Sequence, residues 1–89
     1  MLILPAVVTL AQALGAARGL SMQVASQAEG VVLDASALKQ FDSSALAVML
    51  ACRREALAAG KTFSVHGLPA TLGQLAGLYG VSELIPVAT

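Results

Sequence analysis

Apolar positions recur along the chain in two ways, as short runs that are unbroken or alternating and as longer stretches spaced by three and four. Residues 1–8 form an apolar run broken by Pro5, which predicts a short strand over 2–4 confined to a sheet edge or end. Thr9 and Gln12 have the Thr-x-x-Gln spacing of a capping box. A helix over 10–25 is predicted to follow, with Leu10, Ala13, Leu14, Ala17 and Val24 on its core face. Gly15 and Gly19 weaken that helix by up to ~1 kcal/mol each, or else mark a close approach to a sheet. Gln27-Ala28-Glu29-Gly30 reads as a turn, and Val31-Val32-Leu33 as a strand buried on both faces of a parallel sheet. Residues 35–41 read as a loop. Leu46, Met49, Leu50, Arg53 and Leu57 then predict a second helix, capped by Asp42 and closed by Gly60 as its C′ residue. Residues 61–66 alternate in polarity, as a strand does. Pro69 suits the first turn of a third helix with Leu72, Leu75, Ala76 and Tyr79 as its stripe, ended by Gly80. Leu84-Ile85-Pro86-Val87 reads as a last strand. This order predicts one α/β domain over 1–89, a mostly parallel four-stranded sheet with about three helices and right-handed crossovers.

Composition narrows what such a domain can do. Hydrophobic residues make up 57% of the chain and aromatics 3%, so the core is built of Leu, Val, Ile, Met and Ala. With 11% charged residues, an apolar patch is expected to stay exposed, to meet a partner, and to promote self-association of the isolated domain. Five basic and five acidic side chains cancel, and no basic stripe with interleaved aromatics points to nucleic acid. A single cysteine, Cys52, excludes an intramolecular disulfide and a Cys-based zinc site, and its apolar neighbours make it a small hydrophobe. The first charged side chain is Arg18, yet no basic residue precedes the apolar start and Pro5, Thr9 and Gln12 interrupt it. Neither a signal peptide nor a membrane span is therefore expected, and the protein reads as cytoplasmic.

Candidate chemistry is sparse. No His lies in a nucleophile motif, no Gly-rich phosphate loop occurs, and Glu83 is the one acidic side chain after Gly73. An enzyme is not expected, nor a cofactor or metal. His66 stands alone at a strand end, which suits a surface or loop-anchoring role. The informative segment is Phe41-Asp42-Ser43-Ser44-Ala45-Leu46, where a cap and two hydroxyls meet the positive end of a helix dipole. Asp42 caps, and Ser43 and Ser44 occupy the first two helical positions. Ala47, Leu50 or Cys52 are candidates for an exposed apolar face, and Arg53, Arg54 and Glu55 form a solvated face or its rim.

Val31-Val32-Leu33-Asp34, seven residues, then Asp42-Ser43-Ser44-x-Leu46-Ala47 resembles the STAS domain family. Gly60-Lys61, Leu75-Ala76-x-Leu78-Tyr79 and Leu84-Ile85-Pro86 are similar in particular to its MlaB branch. These are small cytoplasmic subunits of phospholipid-trafficking ABC transporters that maintain outer-membrane lipid asymmetry. The resemblance spans about Val31 to Pro86 and implies docking on an MlaF-like ATPase subunit. The domain would then sit at the inner membrane through its partner, without inserting. The implied contact region comprises Lys39, Gln40, Phe41, Asp42, Ser43, Ser44, Ala47, Leu50 and Arg54. In the anti-sigma factor antagonist branch, the Ser after the Asp is phosphorylated by a partner kinase, and that position is Ser43 here. Two departures stand out: Ala45 replaces a usual Gly, and the extra N-terminal strand and C-terminal helix of typical antagonists are missing. The short tail after Pro86 resembles the transporter branch.

Overall fold

The computed structural model describes residues 2–24, 26–27 and 30–87. Its elements are β1 (Leu2–Ile3), β2 (Val7–Val8), α1 (Leu10–Val24), β3 (Gly30–Asp34), β4 (Gln40–Phe41), α2 (Ser44–Ala58), β5 (Thr62–His66) and α3 (Ala70–Leu78), followed by a 3₁₀ turn at Ser82–Leu84. The α/β class, the three helices and the parallel pairing match the pattern of the sequence. The single four-stranded sheet does not. The strands form a parallel sheet in the order β1-β3-β5 and a separate parallel pair, β2-β4.

Two local causes explain the split. The β1 ladder ends with the Leu4 N–H donating to the Asp34 carbonyl, and the chain bends just after Pro5 before Val7 and Val8 pair with Gln40 and Phe41. The segment predicted as a loop over 35–41 thus contains a strand. At the other end, the predicted strand over 84–87 shrinks to a bridge between Val87 and Val65, with the Val65 N–H donating to the Pro86 carbonyl at 2.8 Å. Residues 82–84 are spent on the 3₁₀ turn instead.

The main sheet advances in one direction with chain order, so right-handed crossovers put α1 and α2 on the same face, side by side and parallel. Their N-termini lie together for that reason. Under them sit Val31, Leu33, Phe63 and Val65, all buried, while Thr62, Ser64 and His66 alternate outward. Val32 is half-buried, so β3 is covered fully on one face and partly on the other, not on both as its unbroken apolar run suggested. The turn expected at 27–30 falls partly on residues 28 and 29, which lie outside the described residues, as does the expected helix end at 25; Gly30 opens β3.

Helix α2 buries Ala45, Leu46, Val48, Met49, Cys52 and Ala56, and Leu57 turns outward. It closes in a Schellman motif: Gly60 at φ +73 donates to the Leu57 carbonyl and Lys61 donates to Ala56. Helix α3 ends the same way at Gly80. Pro69 is its N-cap rather than a first-turn residue. Tyr79, placed on the stripe by spacing, is the C-cap and is 58% exposed.

Helix α1 departs most from its sequence reading. Half of the predicted capping box is made: Gln12 Oε1 accepts from the Thr9 N–H and from its hydroxyl, while the Gln12 N–H donates to the Thr9 backbone carbonyl and not to its hydroxyl. Yet Leu10 and Leu14 are 78% and 63% exposed, and only Leu20 and Val24 are buried. Ala13, Ala16 and Ala17 supply the remaining contact with the core. Side chains added at Gly15 or Gly19 would meet nothing within 4 Å, so neither glycine serves a close approach. Gly15→Ala and Gly19→Ala are each expected to stabilise the protein by about 0.5–1 kcal/mol. A rise in the urea midpoint checks this, with unchanged slope.

Candidate functional site: the start of the second helix

Asp42 is the pivot of the site. It follows β4 directly, and its own N–H donates to the Val8 carbonyl of the paired strand at 3.4 Å. Its carboxylate accepts two backbone N–H bonds from different helices. Oδ1 receives the Ser44 N–H at 2.8 Å, and Oδ2 receives the Leu10 N–H at 3.1 Å. The first bond is the predicted cap of α2. The second, invisible in the sequence, ties α1 to the same carboxylate. One anion therefore serves the positive ends of two parallel helices. The bonds from Ser44 hold the Asp42 carboxyl below the ordinary carboxylate range, more than burial raises it, and the Leu10 bond adds to the lowering.

The sequence predicts Ser43 at the first helical position, but α2 begins at Ser44 and Ser43 stands at the N-cap position. Its φ and ψ of −61° and −16° are already helical, its hydroxyl makes no cap bond, and the capping carboxylate comes from Asp42. It is exposed, and Ser44 is half-buried beside it. Ala47, Leu50 and Arg54 follow Ser43 at steps of four, three and four, so the four residues share one helix face about 16 Å long. Along that face Ser43, Ala47 and Arg54 are exposed and Leu50 is half-buried. Lys39 and Gln40, exposed, and Phe41, half-buried, lead into it; the Lys39 and Gln40 N–H groups both donate to the Ala6 carbonyl. The nine residues singled out by sequence are thus contiguous, with Arg54 at the far end.

Ala47 also borders an open groove of about 290 Å³ between α1 and α2, lined by Leu10, Ala13, Leu14, Ala17, Ala47 and Val48. The spacing of the α1 residues of this wall implies a core-facing stripe. Their period was right and their covering was not, because among the described residues nothing packs over Leu10 and Leu14. The surface around Ser43 is accordingly a continuous face with a serine at one end and no charged group lining the groove.

A second polar cluster lies at the C-terminal ends of β3 and β5. The Asp34 carboxylate accepts the Ser36 N–H at 2.9 Å and its hydroxyl at 2.6 Å, and these bonds hold the Asp34 carboxyl down as well. His66 is exposed, pairs with Asp34 in register, and its carbonyl accepts the Ala35 N–H. It anchors a loop. Cys52 is fully buried and its thiol is pushed up to about 11 by burial, with Glu55 adding to the rise. It is expected to react with a thiol reagent only at the rate of global unfolding, so labelling in urea should track the folding transition. Among the described residues no group of three or more His, Cys, Asp or Glu side chains could hold a metal ion, and no helix is long and apolar enough to cross a membrane.

Asp34 and Asp42 also fix the sign of the acid response. Both folded-state values are lowered, so both contribute stability that is fully present above the unfolded carboxylate value. That contribution is lost as pH falls through the folded values. The urea midpoint is expected to drop below about pH 4, and the Asp34→Asn, Asp42→Asn double variant should show a flatter acid limb.

A capping carboxylate at the end of a short parallel strand, an exposed serine directly before the helix and an apolar face beside it are the parts that the sequence resemblance carries. The family model described as "Mlab, STAS domain" matches residues 5–86. The chain belongs to the MlaB-type STAS domain family. No curated protein matches it. STAS domains of this type are generally non-enzymatic accessory or regulatory domains. The family match covers α1 and both β2 and β4 as well as the segment from Val31 onward. The N-terminal third from Pro5, which lies outside the span of the resemblance, is therefore part of the STAS domain.

Proposed function

We propose that this chain is a non-enzymatic STAS subunit that binds the MlaF-like ATPase of an Mla-type phospholipid-transport ABC system and regulates or stabilises it. The observation that carries the reading is the exposed, nearly uncharged face running from Ser43 along α2 beside the α1–α2 groove, in a chain of the MlaB-type family. Contact would centre on Lys39–Ser44, Ala47 and Leu50, with Arg54 at the rim. A module of this kind acts by binding one arrangement of the ATPase more tightly than another, and needs no chemistry of its own. It would reach the inner membrane through its partner.

The experiment is purification of the tagged protein from gently solubilised membranes of its native host, with its companions identified by mass spectrometry. An ABC ATPase with its permease is the expected result. A soluble serine kinase, with phosphate on Ser43, would replace this reading with the anti-sigma factor antagonist one. The exposed, non-capping Ser43 hydroxyl favours that alternative. Against it, the ionised Asp42 carboxylate already occupies the helix N-termini that an added phosphate would seek.

A further inference from the structure

Helix α1 is the most weakly packed of the two helices that form the groove. Of its 15 residues only Leu20 and Val24 are buried, both in the C-terminal half, against six buried residues in α2. Its interior holds two glycines that no contact requires. Short helices of this kind owe their order to tertiary ties. Among the described residues a polar tie stands at each end, and both come from segments flanking α2. Before α2, the Asp42 carboxylate accepts the Leu10 N–H at 3.1 Å. After α2, the Lys61 ammonium donates to the carbonyls of Val24 at 2.7 Å and Gln27 at 2.6 Å. The signs match the dipole at each end, an anion at the first turn and a cation at the last.

We propose that Asp42 and Lys61 form a two-ended clasp that holds α1 on α2, and that release of α1 governs whether the docking groove exists. Asp42 and Lys61 are positioning residues in this account. Leu10, Ala13, Leu14 and Ala17 form one wall of the groove and all belong to α1, so loosening α1 removes that wall while leaving the β-sheet and α2 in place. Because α1 and α2 are parallel, the clasp uses the geometry that right-handed crossovers impose. The consequence for docking rests on the function proposed above; the clasp itself does not.

The test is amide hydrogen exchange of the full chain, resolved by peptide or by residue. In Asp42→Asn one side-chain oxygen remains for two N–H donors, and in Lys61→Met the stem stays while the donor is lost. Each variant is expected to speed exchange across 10–24 about tenfold, the double variant more, with β3 and β5 amides unchanged. Adding Gly15→Ala and Gly19→Ala to Asp42→Asn should slow it again. Unchanged exchange in α1, or equal acceleration in α1, β3 and β5, would overturn the clasp. Capture of the ATPase by the same variants is the second readout, and weaker capture is expected. Capture at the wild-type level by variants with a loosened α1 would overturn the link to docking and leave the proposed function standing. Failure of the wild-type chain to capture any ATPase would remove that function, while the exchange result still decides the clasp.

Discussion

Ser43→Arg is expected to weaken capture of the ATPase by roughly 100-fold, which corresponds to ~2.7 kcal/mol of binding free energy. A long cation placed at the head of an apolar contact must be desolvated without a partner, and that cost falls on the complex alone. In the free protein Ser43 is exposed and makes no cap bond, so little is lost there. At the start of α2 the dipole and the neighbouring Asp42 carboxylate act with opposite sign on an added charge, so Ser43→Arg and Ser43→Glu each shift stability by less than about 0.5 kcal/mol. The pair therefore separates binding from folding. Arg and Glu should leave the urea midpoint nearly unchanged and weaken capture alike. Ser43→Ala should keep both stability and capture. Loss of the biological activity in Ser43→Ala, with capture intact, would point instead to modification of the hydroxyl.

Gly67→Val is expected to destabilise the protein by about 3 kcal/mol, with a melting point lower by roughly 15 °C. Two costs combine. Gly67 has φ +71, a conformation that a β-branched residue adopts only with strain. An added Cβ would also stand 2.8 Å from the Ser36 Cβ and 3.0 Å from the Ser36 Cα and N. Ser36 cannot retreat, since its N–H and hydroxyl are both held by the Asp34 carboxylate. The loops leaving β3 and β5 meet at this point, so the strain reaches both of these strands. Gly77→Ala is the control: its added Cβ meets nothing within 4 Å and its φ is not positive, so no loss is expected. Thermal denaturation followed by circular dichroism compares the two.

The local signals in this sequence were strong where one residue decides one feature. Asp42, Gly60 and Gly80 act at helix ends through their own chemistry, and the structure has them where spacing put them. The alternation over 61–66 likewise gave β5 its faces, with Phe63 and Val65 inward. What stayed hidden depends on partners far along the chain. The Leu10–Asp42 bond spans 32 residues and the Lys61–Val24 bond 37, and no local pattern announces either. Strands of two residues, such as β2 and β4, are too short to show a period, so their pairing was missed. Periodicity placed Leu10, Ala13, Leu14 and Ala17 on one face correctly but could not say that this chain leaves the face uncovered. For the candidate site, the sequence supplied the contiguous residues 39–44, 47, 50 and 54, and the fold added the α1 wall beside them.

The central claim is that the α2 face starting at Ser43 is the surface that meets the ATPase. Replacing Ala47 with a benzophenone-bearing amino acid and irradiating intact cells tests it most directly, because Ala47 is exposed and borders both the Ser43 face and the groove. The same probe at Leu78, exposed on α3, is the comparison. The account predicts an adduct with the ATPase subunit from Ala47 and none from Leu78. An adduct from Leu78 with none from Ala47 would put the partner on a different face and contradict it.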